Sequence, residues 1–131
     1  MGFGKIHDKN GEPIGNNQLY DAEIPLQAPE HCGSTLFHNN ETEICAGGFQ
    51  KGTEEGDSGG PLAIYRTNSC SGSQQGTWYL IGITSTGEYE LNNGEKNGTK
   101  GYDHGVYTRV SAYHDWIKEA TKGEVTCCGK S

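Results

Sequence analysis

The stretch Gly56-Asp57-Ser58-Gly59-Gly60-Pro61-Leu62 sets three glycines and a proline around one serine. Glycine accepts backbone angles closed to other residues and lets two chain segments approach closely. Proline fixes its own φ and prevents a helix from continuing through it. The segment is therefore a tight turn that hands the chain to a strand at Leu62. Acyl transfer needs that kind of turn. A serine hydroxyl must reach a carbonyl carbon in line, and two backbone N–H groups must point at the oxyanion that develops.

The rest of the chain has the same character. Glycine accounts for 21 of 131 residues, and apolar residues make up only 31%, a low share for a self-sufficient core. Residues 8 to 18 are rich in Asn, Gly and Asp and read as a loop. Tyr20, Ala22, Ile24 and Leu26 alternate with Asp21 and Glu23, the period of a half-buried strand, with Pro25 marking an edge or an end. Leu62–Tyr65 reads as a second strand. Trp78–Thr84 reads as a third, largely buried, and Val106–Val110 as a fourth. A long loop is expected over Glu88–Asp103. Ser111 is a fitting N-cap for a helix carrying Tyr113, Trp116, Ile117 and Ala120, ended by Gly123. The pattern predicts an all-β chain with one C-terminal helix, a small antiparallel barrel.

The net charge of −7 argues against nucleic acid as a partner. No apolar run reaches the length of a membrane span, and Met1–Lys5 lacks the apolar stretch of a signal peptide. Five cysteines occur, none in a paired metal-ligand spacing, and no cofactor or metal motif is present. Asn40-Glu41-Thr42 and Asn97-Gly98-Thr99 are N-glycosylation sequons in polar stretches. Cysteines and sequons together predict a secreted protein whose N-terminal part lies outside this sequence.

The seven-residue serine segment resembles the active-site serine segment of the trypsin/chymotrypsin family. Further matches run along the chain. Gly2-Phe3-Gly4 resembles the Gly-Trp-Gly that opens the second barrel of that family. Cys32 and Cys45-Ala46-Gly47-Gly48 resemble its loop disulfide and the approach to the serine. Leu80–Ser85 resembles the strand that pairs with bound substrate. Gly105–Val110 and Tyr113–Ile117 resemble the last strand and the closing helix. The likeness covers residues 2 to about 122, all in the C-terminal barrel of the family. It implies a six-stranded antiparallel Greek-key barrel over residues 1–122, followed by a flexible, cysteine-containing tail over 123–131.

The resemblance implies specific roles. Ser58 is the nucleophile, and the N–H groups of Gly56 and Ser58 form the oxyanion hole. Asp57 is the carboxylate that pairs with a new N-terminal amine after activation cleavage. Ser85, Thr86 and Gly87 form one wall of the primary specificity pocket, and Gly105 forms the opposite wall. The pocket base falls on Gly52, Thr53 or Glu54. Gly52 there suits an apolar residue, and Glu54 there suits Lys or Arg. Cys32 and Cys45 form a disulfide. Cys70, Cys127 and Cys128 have no counterpart, which leaves an extra or interchain disulfide and unpaired tail cysteines both open.

Other features depart from the family pattern. No histidine sits in a segment like the one that carries the family's general base, and the orienting aspartate is absent too. His7, His31, His38, His104 and His114 read as surface residues. A serine without its base is a poor nucleophile at neutral pH. The expected function is thus a serine endopeptidase half acting on a polypeptide, with a first barrel as its partner. The alternative is a catalytically silent homologue that serves as a binding or regulatory module.

Overall fold

The computed structural model describes residues 1–8, 10, 12–32, 39–67, 75–91 and 101–127. Seven strands occur among them. β1 (Ile6–His7) and β2 (Pro13–Ile14) form a short antiparallel hairpin. β3 (Leu26–Gln27), β4 (Glu43–Ala46), β5 (Pro61–Arg66), β6 (Thr77–Leu91) and β7 (Gly101–Arg109) form one sheet in the order β3-β4-β7-β6-β5, antiparallel throughout. A 3₁₀ turn at Val110–Tyr113 leads into the helix α1 (His114–Ala120). The antiparallel all-β class with a short C-terminal helix is as expected. The described strands comprise this five-stranded sheet and the separate hairpin.

The core is small. Ile44, Ala46, Leu62 and Tyr107 pack together, with Ile24 and Ile81 half-buried against them. Cys32, Cys45 and Val106 form a second cluster, and the Cys32–Cys45 disulfide ties the segment after β3 to β4. Both clusters gather on β4 and β7, the centre of the sheet, where each strand has neighbours on both sides.

Four expectations need correction. The alternation from Tyr20 to Leu26 yields only a bridge at Tyr20 and the two residues of β3, and of its apolar set only Ile24 is partly buried. Pro25 has no N–H for a ladder, and among the described residues no strand runs beside 21–25. The strand expected at Trp78–Thr84 is not largely buried. Trp78 is 68% exposed and Leu80 50%, since no described element covers that face of β6. The long loop is shorter than expected, because β6 continues to Leu91 and β7 starts at Gly101. Ser111 is not the helix cap. It lies in the 3₁₀ turn, and Tyr113 occupies the N-cap position without a side-chain cap bond. Gly123, at φ +79°, donates its N–H back to Lys118 O at 2.8 Å and closes the helix end as expected.

Candidate active site

The serine segment consists of two consecutive turns. Asp57 N–H donates to Glu54 O at 3.0 Å, and Gly60 N–H donates to Asp57 O at 2.9 Å. Gly56 (φ +101°) and Gly59 (φ +83°) take backbone angles that L side chains rarely adopt. Gly60 is also sterically required, since a Cβ there would lie 2.6 Å from Met1 O and 2.8 Å from Asp57 O. The turn is stitched to β6 by Gly59 N–H to Thr84 O (2.9 Å) and by Thr84 N–H to Gly60 O (2.8 Å). Pro61 then opens β5 opposite Ile83.

This stitching separates the N–H groups into two sets. Asp57, Gly59 and Gly60 donate to backbone carbonyls. Among the described residues, the N–H groups of Gly56 and Ser58 donate to no backbone carbonyl. Both residues are exposed.

The side chain of Asp57 turns away from Ser58, toward the N-terminal segment. Its Oδ1 accepts Gly4 N–H at 2.8 Å, and its Oδ2 accepts Glu54 N–H at 2.9 Å. Gly2 and Gly4 wrap so closely that a Cβ on either would overlap the carboxylate. The carboxylate therefore has two backbone donors within this chain.

Ser58 borders a cleft of about 260 Å³. Ser85, Thr86 and Gly87 of β6 and Gly105 of β7 line it too, with Gly87 and Gly105 paired across the two strands. Thr53 and Glu54 reach the same cleft, whereas Gly52 borders a separate cavity of about 650 Å³. Ser85 is the extra residue of a β-bulge, since Thr84 pairs with Tyr107 and Thr86 with Val106. Bulges of this kind re-aim side chains beside functional sites. β5 pairs with β6 only as far as Ile83. Among the described residues, no strand pairs with that side of β6 from Ser85 onward. Gly105 tolerates no side chain, because a Cβ would lie 2.8 Å from the Tyr107 ring and 2.9 Å from Ala46 O.

The cleft residues that were not anticipated include Asp103 and His104. Asp103 is buried, at 9% exposure, and His104 is buried beside it. His104 is thus no surface residue. Its Nδ1 lies 2.9 Å from Gln27 Oε1. Gln27 Nε2 donates to Gly47 O, which fixes Oε1 as the acceptor and Nδ1 as the protonated nitrogen. His7 and His31 are exposed and His114 is half-buried, while His38 lies outside the described residues. Burial pushes the Asp103 carboxyl up to about 6, the Glu54 charge adds to the rise, and His7 and His104 oppose it. The period of a strand could have found Asp103, since it shares a face of β7 with Gly105 two residues on.

A family model for trypsin matches residues 1–117. The chain belongs to the trypsin family. It is similar to coagulation factor XI of Bos taurus, with 36% identity over 126 residues, 93% of this chain and 17% of that protein. It is also similar to CLIP domain-containing serine protease B4 of Anopheles gambiae, with 43% identity over 81 residues, 61% of this chain and 18% of that protein. The chain spans less than a fifth of the length of either relative. No solved structure matches it.

Of the remaining trypsin-family expectations, the Cys32–Cys45 disulfide is formed and Cys127 is a free, half-buried thiol. Cys70 and Cys128 lie outside the described residues, as does the Asn97 sequon. Asn40 is exposed in a turn, with its Oδ1 3.3 Å from an Arg109 guanidinium nitrogen. No helix among the described residues is long and apolar enough to cross a membrane.

Proposed function

We propose that this chain is the nucleophile-bearing half of a secreted serine endopeptidase. Ser58 Oγ attacks the scissile carbonyl carbon of a polypeptide, and the N–H groups of Gly56 and Ser58 receive the oxyanion. The hydroxyl proton passes to a histidine outside this sequence, held by an aspartate on the same first barrel. That histidine then protonates the leaving amine, and water hydrolyses the acyl-enzyme. The observation that carries this reading is the pair of uncommitted N–H groups beside the Ser58 cleft. A turn needed only for structure would have no reason to spend the N–H groups of Asp57, Gly59 and Gly60 and spare these two.

The open edge of β6 beyond Ile83 supports Ser85–Gly87 as the segment that pairs with the substrate backbone. Asp57 is the carboxylate of the activation pocket. In this chain Gly4 N–H and Glu54 N–H satisfy it, and an incoming amine would compete with them. The first barrel and the polypeptide substrate are the partners, and Cys127 is available for an interchain disulfide.

A fluorophosphonate probe tests the reading. The isolated chain should label slowly or not at all. Joined to a first barrel carrying the histidine and aspartate, it should label at Ser58 and lose labelling on Ser58→Ala. Rapid, stoichiometric labelling of the isolated chain would overturn the division of the machinery. Failure of the joined protein to label would overturn the enzymatic reading in favour of a silent binding module.

A further inference from the structure

We propose that Asn40 carries an N-linked glycan, attached through a side-chain nitrogen that the fold leaves uncommitted. The proposal rests on the secretory part of the reading above and is independent of catalysis at Ser58.

The Asn40-Glu41-Thr42 sequon forms the turn that enters β4. Asn39 builds that turn. Its carbonyl accepts Thr42 N–H at 3.2 Å and Glu43 N–H at 2.9 Å, and its Oδ1 accepts Glu41 N–H at 2.9 Å. Asparagine favours such turns because its side chain can bond the backbone two residues on. Asn40 and Glu41 are exposed, and Thr42 is half-buried where the turn meets the sheet. Neighbouring Asn39 cannot serve as the acceptor, since Glu41 stands where a sequon needs Ser or Thr.

Arg109, the last residue of β7, decides how the Asn40 amide is turned. Its Nε donates to Asn40 O at 3.0 Å. Its Nη2 donates to Glu43 O at 3.0 Å and to Asn40 Oδ1 at 3.3 Å. A guanidinium carries donors and no acceptor, so the amide atom that faces it is the oxygen. The nitrogen takes the other side of the amide. Among the described residues, Asn40 Nδ2 donates no hydrogen bond.

N-Glycosylation uses that nitrogen. Asn40 Nδ2 bonds to the anomeric carbon of an oligosaccharide carried on a lipid pyrophosphate. The bond from that carbon to the pyrophosphate oxygen breaks, the lipid pyrophosphate leaves, and Nδ2 loses one proton. The carbonyl is untouched, so Oδ1 still accepts from Arg109. The fold therefore gives up no hydrogen bond to the sugar, and the exposed turn leaves room for it. Glu43 pairs with Thr108 at the sequon end of β4, and Ala46 pairs with Gly105 at the cleft end. Those ends lie about 10 Å apart along the strand, so the glycan grows from the end of β4 remote from the cleft.

Expression of the full chain behind a cleavable signal peptide in a eukaryotic host tests the proposal. Transfer takes place in the endoplasmic reticulum, so retained and secreted chains are both read. Asn97→Gln removes the other sequon. That variant should still run as a glycosylated species, and peptide-N-glycosidase should convert the residue at position 40 to aspartate, read by mass spectrometry. Adding Thr42→Ala should abolish the glycan, and adding Thr42→Ser, which keeps the hydroxyl, should retain it. The glycosidase should release the sugar from the folded chain without denaturant. An Asn97→Gln chain that has lost its signal peptide yet bears no glycan overturns the proposal, as does a glycan released only after unfolding. Ser58 labelling of the joined protein reports separately on the nucleophile. Labelling without a glycan at Asn40 rejects this inference and leaves the protease reading standing, and a glycan without labelling does the reverse.

Discussion

The carboxylate of Asp57 holds the backbone N–H of Gly4 at 2.8 Å, across more than fifty residues of sequence. Its second oxygen holds Glu54 N–H at 2.9 Å. One side chain thereby clamps the N-terminal segment to the turn that presents Ser58.

Breaking this clamp should destabilise the chain. Asp57→Asn replaces one acceptor oxygen with an amide donor that faces an N–H group. The expected cost is about 1–3 kcal/mol for the lost charge-assisted bond. Gly4→Ala should cost a similar amount, since its Cβ would stand 2.5 Å from Asp57 Cγ. Urea unfolding of each variant measures both, and an unchanged midpoint would show that the clamp is not formed.

The Cys32–Cys45 disulfide closes a loop with a sequence separation of 13. Constraint of the unfolded chain by a loop of that size is worth roughly 3 kcal/mol. Cys32→Ala with Cys45→Ala should lower stability by about that amount, plus a packing loss, because both residues are buried in the second core cluster. Unfolding with and without reductant measures it. The wild type should become reductant-sensitive, and the double variant should not respond.

Asp103 should give stability an inverse pH dependence. Its folded-state carboxyl lies near 6, above the ordinary 3.8. Between those values the folded state binds more protons than the unfolded one, so stability falls as pH rises. The penalty is absent below about pH 4, complete above about pH 6, and at most about 3 kcal/mol. The stability difference between the wild type and Asp103→Asn, followed by thermal unfolding from pH 4 to 7.5, should shift against the wild type through that window. A constant difference would place the Asp103 carboxyl in water.

Apolar surface should drive the isolated chain to associate. Trp78 and Trp116 are 68% and 67% exposed, and Tyr65 packs edge-on against Trp78 in the open. Leu80 and Ile83 are exposed as well, and exposed large apolar side chains favour association where they adjoin. Sedimentation velocity should show a concentration-dependent rise in mass. Trp78→Ser with Leu80→Ser should reduce it. A monodisperse wild-type monomer would mean that these residues find cover within the chain.

The legible parts of the fold were those with local chemical causes. The glycine and proline spacing of residues 56–61 announced a turn, and that turn uses positive φ at Gly56 and Gly59. The run Leu62–Tyr65, which follows the glycine-rich turn, lies within β5. The Tyr20–Leu26 alternation misled, because period two creates a strand only where a partner supplies hydrogen bonds, and none of the described strands runs beside 21–25. Trp78 misled in the opposite sense, because its composition suits a buried strand but no described element covers it.

The sequence by itself determined the turn around Ser58, through the local spacing of glycine and proline, and its resemblance to the trypsin family implied the membership and the Cys32–Cys45 disulfide. Only the tertiary structure decided what lies around that turn. Asp57 found donors in Gly4 and Glu54, and Asp103 came to rest against Gly52. The Asp57–Gly4 and Asp103–Gly52 contacts join residues some fifty positions apart. They depend on how strands register across the sheet, and no local propensity specifies that.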